Sequence, residues 1–233
     1  SQAIGDFARA VPSLSRQKWK SRELAVYVRG RLDGAGDWSH MFADPANTNC
    51  SFDTLVGGVQ YRLQWFGDPS PPRNVGWHGN GMGPLYKDGR LFAIKIDHVE
   101  AVDAYNGVSL WSIDVPGSTR LSPAREGGSA CVDSEFLYFA VKNDCRVFDV
   151  ATGRHVATYT TPDSQADWGY LAVSGDQLLG TQQRRGASND DAELARRFPS
   201  RQMWNASEAE FVVSEKLFSL ERTTGSMQWT YAP

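Results

Sequence analysis

Three glycine-punctuated stretches of the sequence gather the residue types that bind ligands. VGWHGNGMGP at 75–84 sets Trp77, His78 and Asn80 among glycines that let a ligand approach the backbone closely. STRLSPAREGG at 118–128 supplies Arg120 and Arg125, and DSQADWGY at 163–170 supplies Asp163, Asp167 and Trp168. Guanidinium forks and aromatic faces together suit an anionic or aromatic group. The competing structural assignment has Trp77 and Trp168 plugging a core, with the arginines solvated or paired to Asp167 or Glu126. Other candidates are thinner. Asp97, His98 and Glu100 stand together in DHVE, but none of His40, His78 and His155 stands at ligand spacing from them, so the run reads as a charged turn. No GxSxG, Walker-type or HExxH pattern occurs. Arg184, Arg185, Arg196, Arg197 and Arg201 interleave with Asp190, Asp191 and Glu193, the pattern of a solvated helix face. Asn205 opens an NAS triplet of the glycosylation-acceptor form.

The composition says what kind of body must position these groups. A formal net charge of −3 over 233 residues leaves no broad basic surface to track a phosphate backbone, so nucleic acid is not an expected partner. No apolar run reaches the length of a membrane span, about 18 residues. Eight tryptophans and 22 glycines favour twisted strands with aromatic plugs and tight turns. Cys50, Cys131 and Cys145 are too few and too scattered for a disulfide framework, and read as buried free thiols. No signal-sequence pattern opens the chain, and localisation stays open on composition alone.

An internal repeat fixes the elements. AVDAYNGVSLW at 101–111, VFDVATGRHVA at 147–157 and SLERTTGSMQW at 219–229 share an acid (Asp103, Asp149, Glu221) four residues before a glycine (Gly107, Gly153, Gly225). Eight residues beyond the acid stand Trp111, Ala157 and Trp229. The first two acids, at 103 and 149, are 46 residues apart, and strand-like runs GRLFAI and EFLYFAV precede them at the same spacing. The third acid, at 221, comes 72 residues after the second. An insertion at 183–208 explains the excess: Ser188 and Asp191 resemble a capping box, Leu194, Ala195 and Phe198 share a face, and Pro199 stops the helix.

In each copy the glycine accepts the positive φ of a tight turn, and the acid can bond backbone N–H groups across it. A tryptophan on the outgoing strand is large enough to anchor a neighbouring sheet. With inner strands at PLYKDG, ACVDSE and GYLAVSGDQ, each copy makes a four-stranded unit of the size of a propeller blade.

These residues resemble the quinoprotein-like β-propellers with PQQ-type repeats, whose blades carry a tryptophan-docking motif AxDxxTGxxxW, as in bacterial PQQ-like and outer-membrane-assembly-type propeller domains. The match covers roughly residues 55–233. The second copy departs from it at Ala157, so one docking contact should be weak or made by Tyr159. The resemblance implies an all-β, PQQ-like (quinoprotein alcohol dehydrogenase-like) propeller. The repeat count makes it an incomplete ring of about three to four four-stranded blades. Blades are expected at about 78–114, 125–161 and 168–232, and a lone outer strand over 59–69 ends near Trp65. Residues 1–37 are expected as an N-terminal flank or linker and 38–233 as the partial propeller. The stop at SMQWTYAP leads us to expect a piece of a larger protein.

The resemblance implies PQQ with Ca²⁺ as a family cofactor, but the sequence has no adjacent-cysteine pair and no clear carboxylate set at the tops of inner strands. No cofactor is therefore expected. The expected function is a non-catalytic scaffold of a larger bacterial protein, binding protein or a small ligand. Its funnel would use Trp77, His78, Asn80, Arg120, Arg125, Asp167 and Trp168, and its open edges would bind a partner or a second copy. The alternative is a quinone-dependent oxidoreductase domain that needs further blades. An extracytoplasmic, periplasmic setting follows from the resemblance alone, and the 183–208 insertion is a second candidate recognition element.

Overall fold

The structure, a computed structural model, describes residues 14–19, 22–27, 32–58, 62–67, 82–119, 128–183 and 214–232. Strands β1 (Leu14–Trp19) and β2 (Arg22–Tyr27) form an antiparallel hairpin. All remaining strands belong to three four-stranded antiparallel sheets whose spatial order follows the chain. The first holds β3 (Leu85–Lys87), β4 (Arg90–Lys95), β5 (His98–Asp103) and β6 (Ser109–Asp114). The second holds β7 (Ala130–Val132), β8 (Phe136–Val141), β9 (Asp144–Asp149) and β10 (His155–Thr160). The third holds β11 (Asp167–Ser174), β12 (Gln177–Gln183), β13 (Ser214–Glu221) and β14 (Met227–Tyr231).

Local sequence accounts for the meander. Asp88-Gly89 joins β3 to β4 with φ of 48° and 80°, the two positive values that let a two-residue loop match the twist of its strands. The β-branched and aromatic run FLYFAV then serves β8, whose residues after Phe136 are all buried. Burial of that kind requires cover on both faces, and the second sheet has it. Leu137, Phe139, Val141 and Phe148 enter a core shared with Phe92, Val99 and Ala101 of the first sheet. Tyr138, Ala140, Cys145 and Val147 enter a core shared with Trp168, Leu171, Phe218 and Leu220 of the third. Alternating side chains thus glue one sheet to two neighbours.

The first strands of the sheets converge, β3 against β7 and β7 against β11. Three blade-like sheets around converging inner strands make the fold all-β, an incomplete propeller among the described residues. Of the lone strand expected over 59–69, residues 62–67 are described and carry no β-ladder. The helix-like insertion lies outside the described residues apart from Gln183, which ends β12.

Candidate functional site

Trp77, His78, Asn80, Arg120 and Arg125 lie outside the described residues. Asp167 and Trp168 open β11. Trp168 is fully buried, edge-on to Phe218 at 4.7 Å between centroids, and a side chain at Gly180 would run into its ring. Packed on the second sheet, the indole offers no face to a ligand. Asp167 is buried as well, paired in the ladder with Gln183. The DHVE run resolves into separate contacts. Asp97 Oδ1 accepts hydrogen bonds from the Gly117 and Thr119 N–H groups, both at 3.1 Å, and from Thr119 Oγ1 at 2.9 Å. His98 Nδ1 lies 2.8 Å from Asp114 Oδ1, and Lys95 Nζ donates to Glu100 at 2.9 Å. Among the described residues no group of three or more His, Cys, Asp or Glu converges. Of the thiols, Cys131 and Cys145 are buried as expected, whereas Cys50 is exposed.

The repeat residues do come together, at the seams between sheets. In all three turns the glycine N–H donates to the carbonyl of the acid at 2.8 Å, with glycine φ of 73°, 69° and 72°. Asp103 Oδ1 accepts from Tyr105 N–H at 2.8 Å, and Asp149 Oδ1 from Thr152 N–H at 2.9 Å and Thr152 Oγ1 at 2.6 Å. Glu221 accepts from the Thr223 and Thr224 N–H groups, and hydrogen bonds from Thr224 and Thr223 hold its carboxyl down at about 2. Each turn then receives an aromatic from the preceding segment. Trp65 Nε1 donates to Ala104 O at 2.8 Å and Trp111 Nε1 to Val150 O at 3.0 Å. Tyr159 Oη donates to the carbonyls of Arg222 at 3.1 Å and Thr223 at 2.9 Å. The rings lie on the glycines: a Cβ on Gly107 would stand 2.5 Å from the Trp65 ring and one on Gly153 2.7 Å from Trp111. A Cβ on Gly225 would collide with Tyr159. Glycine is required here twice over, for backbone sign and for ring contact.

A second arrangement lay outside the sequence reading. Residues 37–47 cross the convergent strands as a strap. Trp38 exchanges backbone hydrogen bonds with Tyr86 of β3 at 2.9 and 2.8 Å, and Ser39 O accepts from Val132 N–H of β7 at 2.9 Å. His40, only 2% exposed, takes the Val173 N–H of β11 on Nε2 at 3.0 Å. Tyr170 Oη, also on β11, donates to Asn47 Oδ1 at 2.9 Å, and Lys87 Nζ pairs with Asp37 at 2.6 Å. Because Nε2 accepts, the imidazole proton sits on Nδ1 and points to Ser39 Oγ, 2.8 Å away. Desolvation lowers the His40 pKa from 6.5 to about 4, outweighing the nearby Asp44 carboxylate. Asp44 itself holds the strap's return as an Asx turn, accepting from Ala46 N–H at 3.0 Å and Thr48 N–H at 3.1 Å. The DPANT run signalled that turn in the sequence, but nothing in it named the distant strands it serves. A cavity of about 230 Å³ opens beside the strap, against Asp37, Asp44, Cys50 and Phe52.

The third turn carries an ion-pair clamp. Arg222 reaches Asp133 at 3.2 Å and Glu135 at 2.7 Å, while Tyr138 Oη donates to Asp133 at 3.0 Å. These contacts tie the third sheet's turn to the second sheet, reinforcing the seam that Tyr159 covers.

No protein-family profile and no curated protein matches the chain. Solved structures do resemble it. BamB from Moraxella catarrhalis is 16% identical over 62% of this chain and 34% of its own, with a TM-score of 0.38. A europium-containing methanol dehydrogenase is 15% identical over 65% and 32%, with a TM-score of 0.44. The quinohemoprotein alcohol dehydrogenase ADHIIG from Pseudomonas putida HK5 is 15% identical over 84% and 26%, with a TM-score of 0.48. The chain spans about a quarter to a third of the length of these proteins.

Proposed function

We propose that the chain is a non-catalytic interaction scaffold, a PQQ-like propeller segment of a larger bacterial protein that binds protein or a small ligand through its open faces and loops. The observation that carries this reading is the strap. It takes up hydrogen-bonding groups of β3, β7 and β11 where the sheets converge, and it commits both nitrogens of His40 to structural bonds. The repeat acids are committed too, in their turns, and Trp65, Trp111 and Tyr159 in seam contacts. Recognition then falls to the lateral sheet faces and to the segments of sequence that carry Trp77, His78, Asn80, Arg120 and Arg125. An extracytoplasmic setting accompanies the proposal through the resemblance of the repeat.

Incubation with PQQ and Ca²⁺, followed by absorbance and thermal melting, tests it. The expected result is an unchanged spectrum and midpoint. A bound ligand stabilises the native state by mass action, so a saturable rise in midpoint would overturn the scaffold reading in favour of a quinone-dependent domain.

A further inference from the structure

The strap is fastened mainly by polar bonds. Between residues 37 and 47 only His40 and Ala43 are buried, and neither enters the two hydrophobic cores that join the sheets. On β7 the Ser39 carbonyl takes the Val132 N–H, and on β11 His40 Nε2 takes the Val173 N–H. Asn47 adds a bond from the Tyr170 hydroxyl. The strap's middle is a unit of its own: Ser39 and His40 N–H both donate to Ala43 O, and Ala43 N–H returns to His40 O. It can therefore lift away without opening either core.

His40 is the fastening that acid reverses. A proton on Nε2 would set two donors face to face, the imidazolium and the Val173 N–H, in a site only 2% exposed. Two charged groups act on the ring: Asp44 on the strap attracts the imidazolium, and Lys87 on β3, paired with Asp37, repels it. The titratable groups that β7 and β11 bring close are the Cys131 thiol beside Val173 and the Tyr170 phenol. Burial pushes both up, so they stay neutral in acid and supply none of the negative charge a buried imidazolium needs.

We propose that the strap is an acid-released latch: protonation of His40 frees it from β7 and β11 and bares their edge N–H groups, while the three sheets stay folded. The inference goes beyond the scaffold reading and does not rest on it, since it concerns access to the converging strands and not what binds there. The proton comes from solvent and leaves again as pH rises, so the latch recloses.

Native-state hydrogen exchange on the full chain, with rates corrected for the intrinsic effect of pH, tests this. The Val173 and Val132 amides report the strap, and the β8 and β9 amides report the sheets. A ring that takes its proton near pH 4 when latched and near 6.5 when free shifts the opening equilibrium about 25-fold between pH 7 and pH 5. Protection at Val173 and Val132 should fall by about that factor and lie below that of β8 and β9 at both pH values, the mark of a release that leaves the sheets intact. In His40→Gln the side-chain oxygen accepts the Val173 N–H at every pH, so the fall should vanish. Val173 protection that ignores pH in the wild-type chain overturns the proposal. So does Val173 protection equal to that of β8, which would mean that the strap leaves only when the whole molecule unfolds. A folded His40→Gln chain that keeps the wild-type fall overturns it as well. The first two outcomes are read on the wild-type chain and need no variant to fold.

Discussion

Trp111 joins two sheets by two different forces. Its ring removes the Gly153 turn and part of the shared core from water, with Phe92 5.9 Å away between centroids, and its N–H fixes the angle of contact on Val150 O. Truncation removes both. Trp111→Ala is expected to cost about 3 kcal/mol in urea unfolding, while Trp111→Phe, which keeps most of the ring, costs about 1 kcal/mol. Equal losses from the two variants would assign the contact to the hydrogen bond rather than to burial. The acid, glycine and tryptophan were legible in the sequence because the turn dictates their spacing. The Ala157 gap was legible too, and the structure puts Tyr159 over the third turn from two residues further along β10. What spacing could not give was the engagement of Trp65, whose segment has no ladder.

The strap stands or falls as an element, and its weak point is acid. Neutral His40 accepts the Val173 N–H, a role the imidazolium cannot fill. Its folded pKa of about 4 lies below the ordinary 6.5, so the unfolded chain binds the proton more readily. Stability contributed by this group is complete above pH 6.5 and is lost as pH falls through 6.5 toward 4, on the order of 3 kcal/mol in all. Of the facing charges, Asp44 favours protonation and Lys87 opposes it. Urea midpoints at pH 7, 5 and 4 should fall in that order, and His40→Leu should flatten the fall between pH 7 and 5 while lowering stability throughout. Val173 N–H would then be left without its acceptor, at a cost of about 1–3 kcal/mol. An unaltered pH slope in that variant would count against the assignment. The strap was opaque in the sequence, since its partners lie as far away as Val173, beyond the reach of periodicity or motif spacing.

At the scale of the whole molecule, burial is unequal. The second sheet is covered on both faces, and its β8 is buried from Leu137 to Val141, whereas β4 is buried only at Phe92 and Lys95 and β14 is exposed throughout. Native-state hydrogen exchange should follow that gradient, with β8 and β9 amides most protected and β14 amides opening first. Protection in β14 matching that of β8 would show that something covers the third sheet in solution. The arginine clamp belongs at this scale as well, because Arg222 draws Asp133 and Glu135 of one sheet onto the turn of another. Its residues sit at separations no local pattern connects.

The sequence by itself determined the repeating unit, the all-β class and the turn chemistry, because a tight turn restricts which residues can hold it whatever surrounds them. Only the tertiary structure decided which of the available groups are used up. It buried Trp168 between sheets, committed His40 to a backbone N–H on β11 and gave Trp65 a turn to cover. It also left Trp229 and Tyr231 exposed. The physical reason is that a side chain's availability depends on what packs against it, and in this chain those neighbours come from other sheets, dozens of residues away.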